Sequence, residues 1–176
     1  IYCIACFELP GNIITNAPVT ANEKYIVYPS SPDIMNPFDH IVCKDTKTGN
    51  QMWEINLGRI FAEPLLDDDR VFAGTASGYV YCLTANRSRG ERALHGLNRF
   101  ISDDIAWRFK AGDAVNARAA TDAKHVYFGS NDGTIYCLDK ETGNLVWKYA
   151  TDKLVPEALR CFSTPCIYDN NLFIGS

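Results

Sequence analysis

Seven cysteines in a chain of 176 residues are the first side chains that could do chemistry. Cys3 and Cys6 form a C-x-x-C, and Cys161 and Cys166 form a C-x4-C. Four thiolates make a tetrahedral zinc set if the two ends of the chain come together. Strand geometry argues against it, because residues three apart on an extended strand point to opposite faces. The preferred reading is free thiols, buried as small hydrophobes, which also suits an odd count.

The other reactive types are scattered. His40, His95 and His125 have no metal-ligand spacing, and His125 aligns with Lys24 and Arg70 beside a hairpin turn. Asp67, Asp68 and Asp69 offer three carboxylates but lack the glycine and distal glutamate of a calcium loop, so a solvated turn is expected. In "GTASG" (74–78) the serine falls one position late for a nucleophile elbow. No catalytic residue and no bound metal is expected. Asn86-Arg87-Ser88 fits a glycosylation acceptor, which matters only after export.

Two loops carry binding chemistry instead. "NRSRGERALHGLNRF" (86–100) holds Arg87, Arg89, Arg92 and Arg99 against Glu91 alone. "SPDIMNPFDH" (31–40) sets Met35 and Phe38 among prolines. Arginine, methionine and phenylalanine are enriched where proteins meet, so these six residues are candidate partner-binding positions.

Composition narrows the classes of function. A formal net charge of -4 with no strongly basic run does not suit a polyanion, so no nucleic-acid partner is expected. No apolar stretch is long enough for a transmembrane helix. The apolar opening "IYCIACF" lacks the charged leader and length of a signal peptide, so any export signal is expected outside this chain. With 47% hydrophobic residues, the chain can bury a substantial core without staples.

What must position these residues is a repeat. "HVYFGSNDGTIYCLDKETGNLVWKYATD" (125–152) lies over "RVFAGTASGYVYCLTANRSRG" (70–90) followed by "IAWRFKAGD" (105–113). It also lies over "KYIVYPSS" (24–31) with "HIVCKDTKTGNQMWEINLG" (40–58), and "STPCIYDNNLFIGS" (163–176) opens a further copy. Cys43, Cys82 and Cys137 fall in step, as do Trp53, Trp107 and Trp147. Pro18, Pro64 and Pro165 open their copies, with Ala119 in the matching place. The period is about 40 residues, stretched to about 55 by insertions. Each copy holds four short strand-like runs joined by polar, glycine-containing turns, with no helical periodicity. Such units predict an all-β fold, a β-propeller of four-stranded antiparallel blades. Four blade-equivalents are visible, three complete and one split between the termini.

"CLDKETGNLVW" (137–147) and "CKDTKTGNQMW" (43–53) resemble the tryptophan-docking motif of the pyrroloquinoline-quinone-type (quinoprotein-like) propeller repeat. The copy at 70–113 departs from it, with Thr84 in place of aspartate and an insertion before Trp107. The resemblance implies that Trp53, Trp107 and Trp147 stack between blades, with Asp45, Asp139, Gly49 and Gly143 shaping the turns they meet. It also implies a family whose enzymes are quinone-dependent dehydrogenases. Many of these carry an adjacent cysteine pair, an aspartate base and a calcium ion, none of which can be matched here residue by residue.

The expected organisation is the end of a blade at 1–11 and blades at 14–58, 60–113 (with insertion 86–104) and 114–155. The first half of another follows at 160–176. An excerpt from a seven- or eight-bladed ring is the leading expectation, with closure on itself or pairing of two chains as alternatives. The functional expectation is a non-catalytic scaffold for a protein partner, with no cofactor. Its alternatives are a segment of a quinone-dependent dehydrogenase, which would use PQQ with calcium, and a small-ligand or metal-binding propeller domain. The cysteine load suggests a reducing compartment while the family is frequently exported, so no localisation is assigned.

Overall fold

The computed structural model of the protein describes residues 19–30, 39–86, 104–151 and 163–175, with no helix among them. Cys3, Cys6, Cys161, His95, Met35, Phe38, Arg87, Arg89, Arg92 and Arg99 lie outside the described residues. β-branched and aromatic residues fill the strands, as fits a pleated, half-buried surface. The first sheet contains β1 (Thr20–Ala21), β2 (Tyr25–Ser30), β3 (His40–Asp45) and β4 (Gln51–Asn56). The second contains β5 (Leu65–Asp67), β6 (Arg70–Gly74), β7 (Tyr79–Thr84) and β8 (Ile105–Lys110). The third contains β9 (Ala120–Thr121), β10 (His125–Ser130), β11 (Thr134–Asp139) and β12 (Leu145–Ala150). A two-stranded sheet of β13 (Cys166–Tyr168) and β14 (Asn171–Phe173) follows.

Each four-stranded sheet is an antiparallel meander in chain order. The short first strands adjoin one another, β1 beside β5 and β13 beside β9. This is the all-β, four-stranded blade architecture that the repeat predicts.

Register makes the sheets equivalent residue by residue. Cys43 faces Trp53, Cys82 faces Trp107 and Cys137 faces Trp147, and in each sheet the register slips at the next residue. At the bulge the Cα register passes over Met52, Ala106 or Val146, which bends the strand beside the tryptophan. Tyr25 pairs with Asp45, Arg70 with Thr84 and His125 with Asp139, so Tyr25 rather than Lys24 corresponds to His125. The pairings Thr20–Val27 and Leu65–Phe72 likewise put Val19, not Pro18, in the place of Pro64. Sequence alignment slipped by one residue here because the hairpin tips share no landmark side chain.

Period-2 alternation sends each strand's side chains to two different neighbours. Val71, Ala73, Tyr81 and Leu83 of the second sheet pack with Tyr25, Val27, Trp53 and Ile55 of the first. Phe72, Val80, Cys82 and Trp107 pack with Val126, Phe128, Tyr136 and Leu138 of the third. The second sheet is therefore buried on both faces. All six residues of β12, by contrast, are exposed.

Phe128 is fully buried, stacked on Tyr136 with ring centroids 5.3 Å apart and set edge-on to Phe109 at 6.3 Å. Phe128→Ala should cost about 3–5 kcal/mol, the transfer loss plus a cavity. Val146→Ser at the exposed bulge should fall within about 0.5 kcal/mol of wild type. Urea unfolding of the two variants measures the contrast.

Candidate functional site

The best-defined local structure is the turn between the third and fourth strands. Asp139 Oδ1 accepts hydrogen bonds from Glu141 N at 3.1 Å, Thr142 N at 2.8 Å and Thr142 Oγ1 at 2.8 Å. Gly143 closes the turn with φ at 72°, a conformation that glycine adopts without steric cost. Asp45 builds the same cage, from Lys47 N at 3.0 Å, Thr48 N at 2.7 Å and Thr48 Oγ1 at 2.8 Å, with Gly49 at φ 71°. Hydrogen bonds from the Thr142 hydroxyl and backbone hold the Asp139 carboxyl below its ordinary value of 3.8. The Thr48 backbone and hydroxyl do the same for Asp45. An aspartate three residues before threonine-glycine thus ties three donors into one rigid corner.

Onto that corner comes a side chain from the neighbouring sheet. The Trp107 ring lies flat on Gly143, where an added Cβ would sit 2.5 Å from Trp107 Cδ2. The indole N–H donates to the Lys140 carbonyl at 3.0 Å. Arg70 Nη1 donates to the same carbonyl at 3.4 Å, and Arg70 also pairs with Glu141. Lys140 in turn sends its ammonium 3.0 Å to Asp67 Oδ2. Asp139, Gly143 and Trp107 are therefore brought together. Lys140, Arg70, Glu141 and Asp67 join them unannounced by the sequence, because their partners lie some seventy residues away along the chain.

The other two tryptophans stand differently. Trp53 is buried at 1% exposure, yet its indole N–H has no hydrogen-bond partner. In the second sheet Thr84 replaces the aspartate, and Ala85 N donates to Asp69 O as Lys140 N donates to Lys124 O. Trp53 thus packs in the same cluster as Ala85 without the N–H contact that Trp107 makes. Trp147, at 40% exposure, touches Tyr127 with centroids 6.0 Å apart.

Around Trp147 the third sheet exposes a mixed polar and apolar face. Tyr127 Oη donates to Asp122 Oδ2 at 2.8 Å, and His125 Nδ1 lies 3.2 Å from the same oxygen. Burial pushes the Asp122 carboxyl up, but hydrogen bonds from Lys124 N, Tyr127 and His125 outweigh it and hold it well below the ordinary range. Burial and the bond to Asp122 raise the Tyr127 phenol.

Cys43, Cys82 and Cys137 are buried free thiols, and burial raises them to about 12, 11 and 11. They stay neutral at ordinary pH and pack as small apolar groups. Cys166 is a free, exposed cysteine. The acidic triplet is not a free solvated turn: Asp67 bonds Lys140, and Asp69 receives Lys24 at 3.5 Å and Asn86 at 3.1 Å. Asp68 takes φ 50° at the tip, and Asn22 Nδ2 donates to its carbonyl.

The links entering β5 and β9 hold one more polar group. Arg118 Nη1 lies 3.6 Å from Glu63 Oε1, while Arg118 Nε and Asn116 Oδ1 are buried without partners. A calcium ion takes six to eight oxygens. Glu63 is the one carboxylate of this group and is already paired with a guanidinium, and no group of three His, Cys, Asp or Glu among the described residues could hold a metal. These residues do not fit a calcium–quinone pair.

Comparison with known proteins agrees with the fold. A family model described as outer membrane protein assembly factor BamB matches residues 91–175. Quinoprotein alcohol dehydrogenase PedH of Pseudomonas putida is 24% identical over 94% of this chain and 26% of its own length. The crystal structure of BamB from Moraxella catarrhalis matches with a TM-score of 0.64 and 23% identity, over 92% of this chain and 43% of that one. The computationally designed Ika4 protein matches with a TM-score of 0.68 and 16% identity, over 98% of this chain and 89% of that one. The chain thus spans a quarter of PedH and less than half of that BamB chain.

Gly143→Ala meets both a positive φ and the Trp107 ring. Its cost should exceed the roughly 1–2 kcal/mol of the backbone conformation alone. Gly58, at φ 81° with open space around it, should lose only that backbone cost on substitution by alanine. Parallel urea titrations decide it. The depressed Asp139 carboxyl adds stability above its unfolded pKa, and that stability is lost as pH falls through the folded value. Asp139→Asn should therefore be less stable at neutral pH and show a shallower loss of stability on acidification, read from unfolding midpoints between about pH 7 and pH 3.

Proposed function

We propose that this chain, whose repeats are those of the quinoprotein-like propeller family, acts as a non-catalytic scaffold for a protein partner. The observation that carries the reading is β12, where Leu145, Val146, Trp147 and Tyr149 are all 40% exposed or more on a rigid sheet. Contiguous exposed apolar surface of this kind marks interaction sites, and aromatic side chains are enriched in them. The match to a family described as an assembly factor supports the same reading. The loop arginines Arg87, Arg89, Arg92 and Arg99, with Met35 and Phe38, are a second set of partner-binding positions under this proposal. Further blades of the same chain or a second copy are alternative occupants.

The alternative is a segment of a quinone-dependent dehydrogenase, favoured by similarity to PedH over 94% of the chain. It requires the PQQ and calcium ligands to come from outside the described residues. A small-ligand site at Asn116 and Arg118 is a third reading, resting on their unpartnered polar atoms.

Reversing the charge of the four loop arginines should abolish crosslinking of the chain to its partner in cells, without lowering its melting temperature. Added PQQ with calcium should raise the melting temperature by several degrees only under the dehydrogenase reading, since saturation near a hundredfold over Kd stabilises by about 2.7 kcal/mol. A clear rise, with crosslinking unchanged, would sink the scaffold reading.

A further inference from the structure

β8 is the last strand of the second sheet, and among the described residues no strand pairs with its outer side. Backbone groups along such a strand point inward and outward at alternate residues. Ala111 N donates to Gly78 O at 2.8 Å, across the end of the β7–β8 pair. Counting back from there, Phe109 and Trp107 direct their backbone groups at β7, while Arg108 and Lys110 direct theirs away from the sheet. The Tyr79 carbonyl, opposite Lys110, accepts from Thr75 N on the other side, as this alternation requires.

The same two residues carry the charge of the edge. Arg108 faces Tyr81, Lys110 faces Tyr79, and both are exposed. Arg108 Cζ lies 5.6 Å and Lys110 Nζ 5.1 Å from the centre of the Tyr79 ring, whose negative face attracts both cations. Lys110 also donates to the Ser77 carbonyl at 2.6 Å. No ion pair joins either cation to a described carboxylate. At the matching places β4 has Glu54 and Asn56, and β12 has Lys148 and Ala150. Of the three outer strands, β8 alone sets two cations beside two outward-facing backbone units.

We propose that the outer edge of β8 takes an extended partner segment as an added strand, with acidic side chains two residues apart that meet Arg108 and Lys110. Main-chain hydrogen bonds would hold such a segment, and its alternate side chains would select it. This rests on the scaffold reading and adds a surface apart from β12 and the loop arginines. A second copy of the chain is a poor occupant on charge. Its own β8 would bring cations against cations, which is unfavourable across a strand pair. Its β4 offers one carboxylate, Glu54, already bonded by Gln51 Nε2 at 3.1 Å.

The test uses the full chain and a fluorescein-labelled peptide of four Thr-Glu repeats, followed by anisotropy. Saturable binding is expected, weakening as salt rises from about 0.05 M to about 0.5 M. Arg108→Glu with Lys110→Glu should weaken it by about tenfold or more, and the doubly reversed chain should instead bind a Thr-Lys repeat. Lys148→Glu, on the β12 edge, should leave affinity unchanged. A Thr-Glu peptide methylated on every backbone nitrogen keeps its charge but cannot donate to a strand, and it should fail to bind. No saturable binding would leave the cations as guards of an unpaired edge and overturn the inference. Binding that survives the double reversal, or the N-methylation, overturns it as well. So does self-association of the chain that the double reversal abolishes, which gives the edge to a second copy. Because the peptide is supplied directly, its failure is separate from loss of crosslinking in cells, which alone tests the scaffold reading.

Discussion

The seat of the Trp107 indole on the Asp139–Gly143 turn sets the distance between two sheets, and other features of their interface follow from it. A flat ring against a glycine permits an approach that any Cβ would prevent. That approach lets the N–H reach the Lys140 carbonyl and draws the Arg70 guanidinium and the Asp67 carboxylate around the same residue. The turn can serve as a seat because Oδ1 of the aspartate already holds three donors of its own loop. Rigidity made locally is thus used at long range.

The first interface shows the same design with one component exchanged. Trp53 is the more deeply buried ring, yet its N–H is unpartnered, a situation that costs on the order of 1–3 kcal/mol. Thr84 stands where the other sheets have aspartate, and Thr84 N donates to the Asp104 carbonyl, with β7 and β8 in register. Apolar packing by Tyr25, Val27, Val71 and Leu83 carries that interface instead. One contact trades directional bonding for burial.

At the third sheet the same side-chain set faces outward. Cys137 stays buried beneath Trp147, with its thiol neutral, while the tryptophan and Tyr149 meet solvent. His125, where Arg70 stands in the second sheet, turns back to Asp122 rather than reaching across. The difference between an interface and an exposed face lies in the neighbour, not in the strand.

The sequence by itself determined the repeat, the strands, their turns and the equivalence of the three Cys–Trp pairs, because these rest on period-2 alternation and on turn chemistry within a few residues. It placed Asp45, Asp139, Gly49 and Gly143 in turns for the same local reason. It slipped at the first hairpin, where Tyr25 and not Lys24 matches His125, because hairpin tips have no side-chain landmark and only backbone pairing sets their register. Tertiary structure alone decided that the acidic triplet is bonded rather than solvated, that Lys140 joins two sheets, and that Trp53, Trp107 and Trp147 end in three different environments. Equivalent Cys–Trp pairs diverge there because each tryptophan's fate depends on the sheet beside it, and contacts between residues tens of positions apart leave no trace in local pattern.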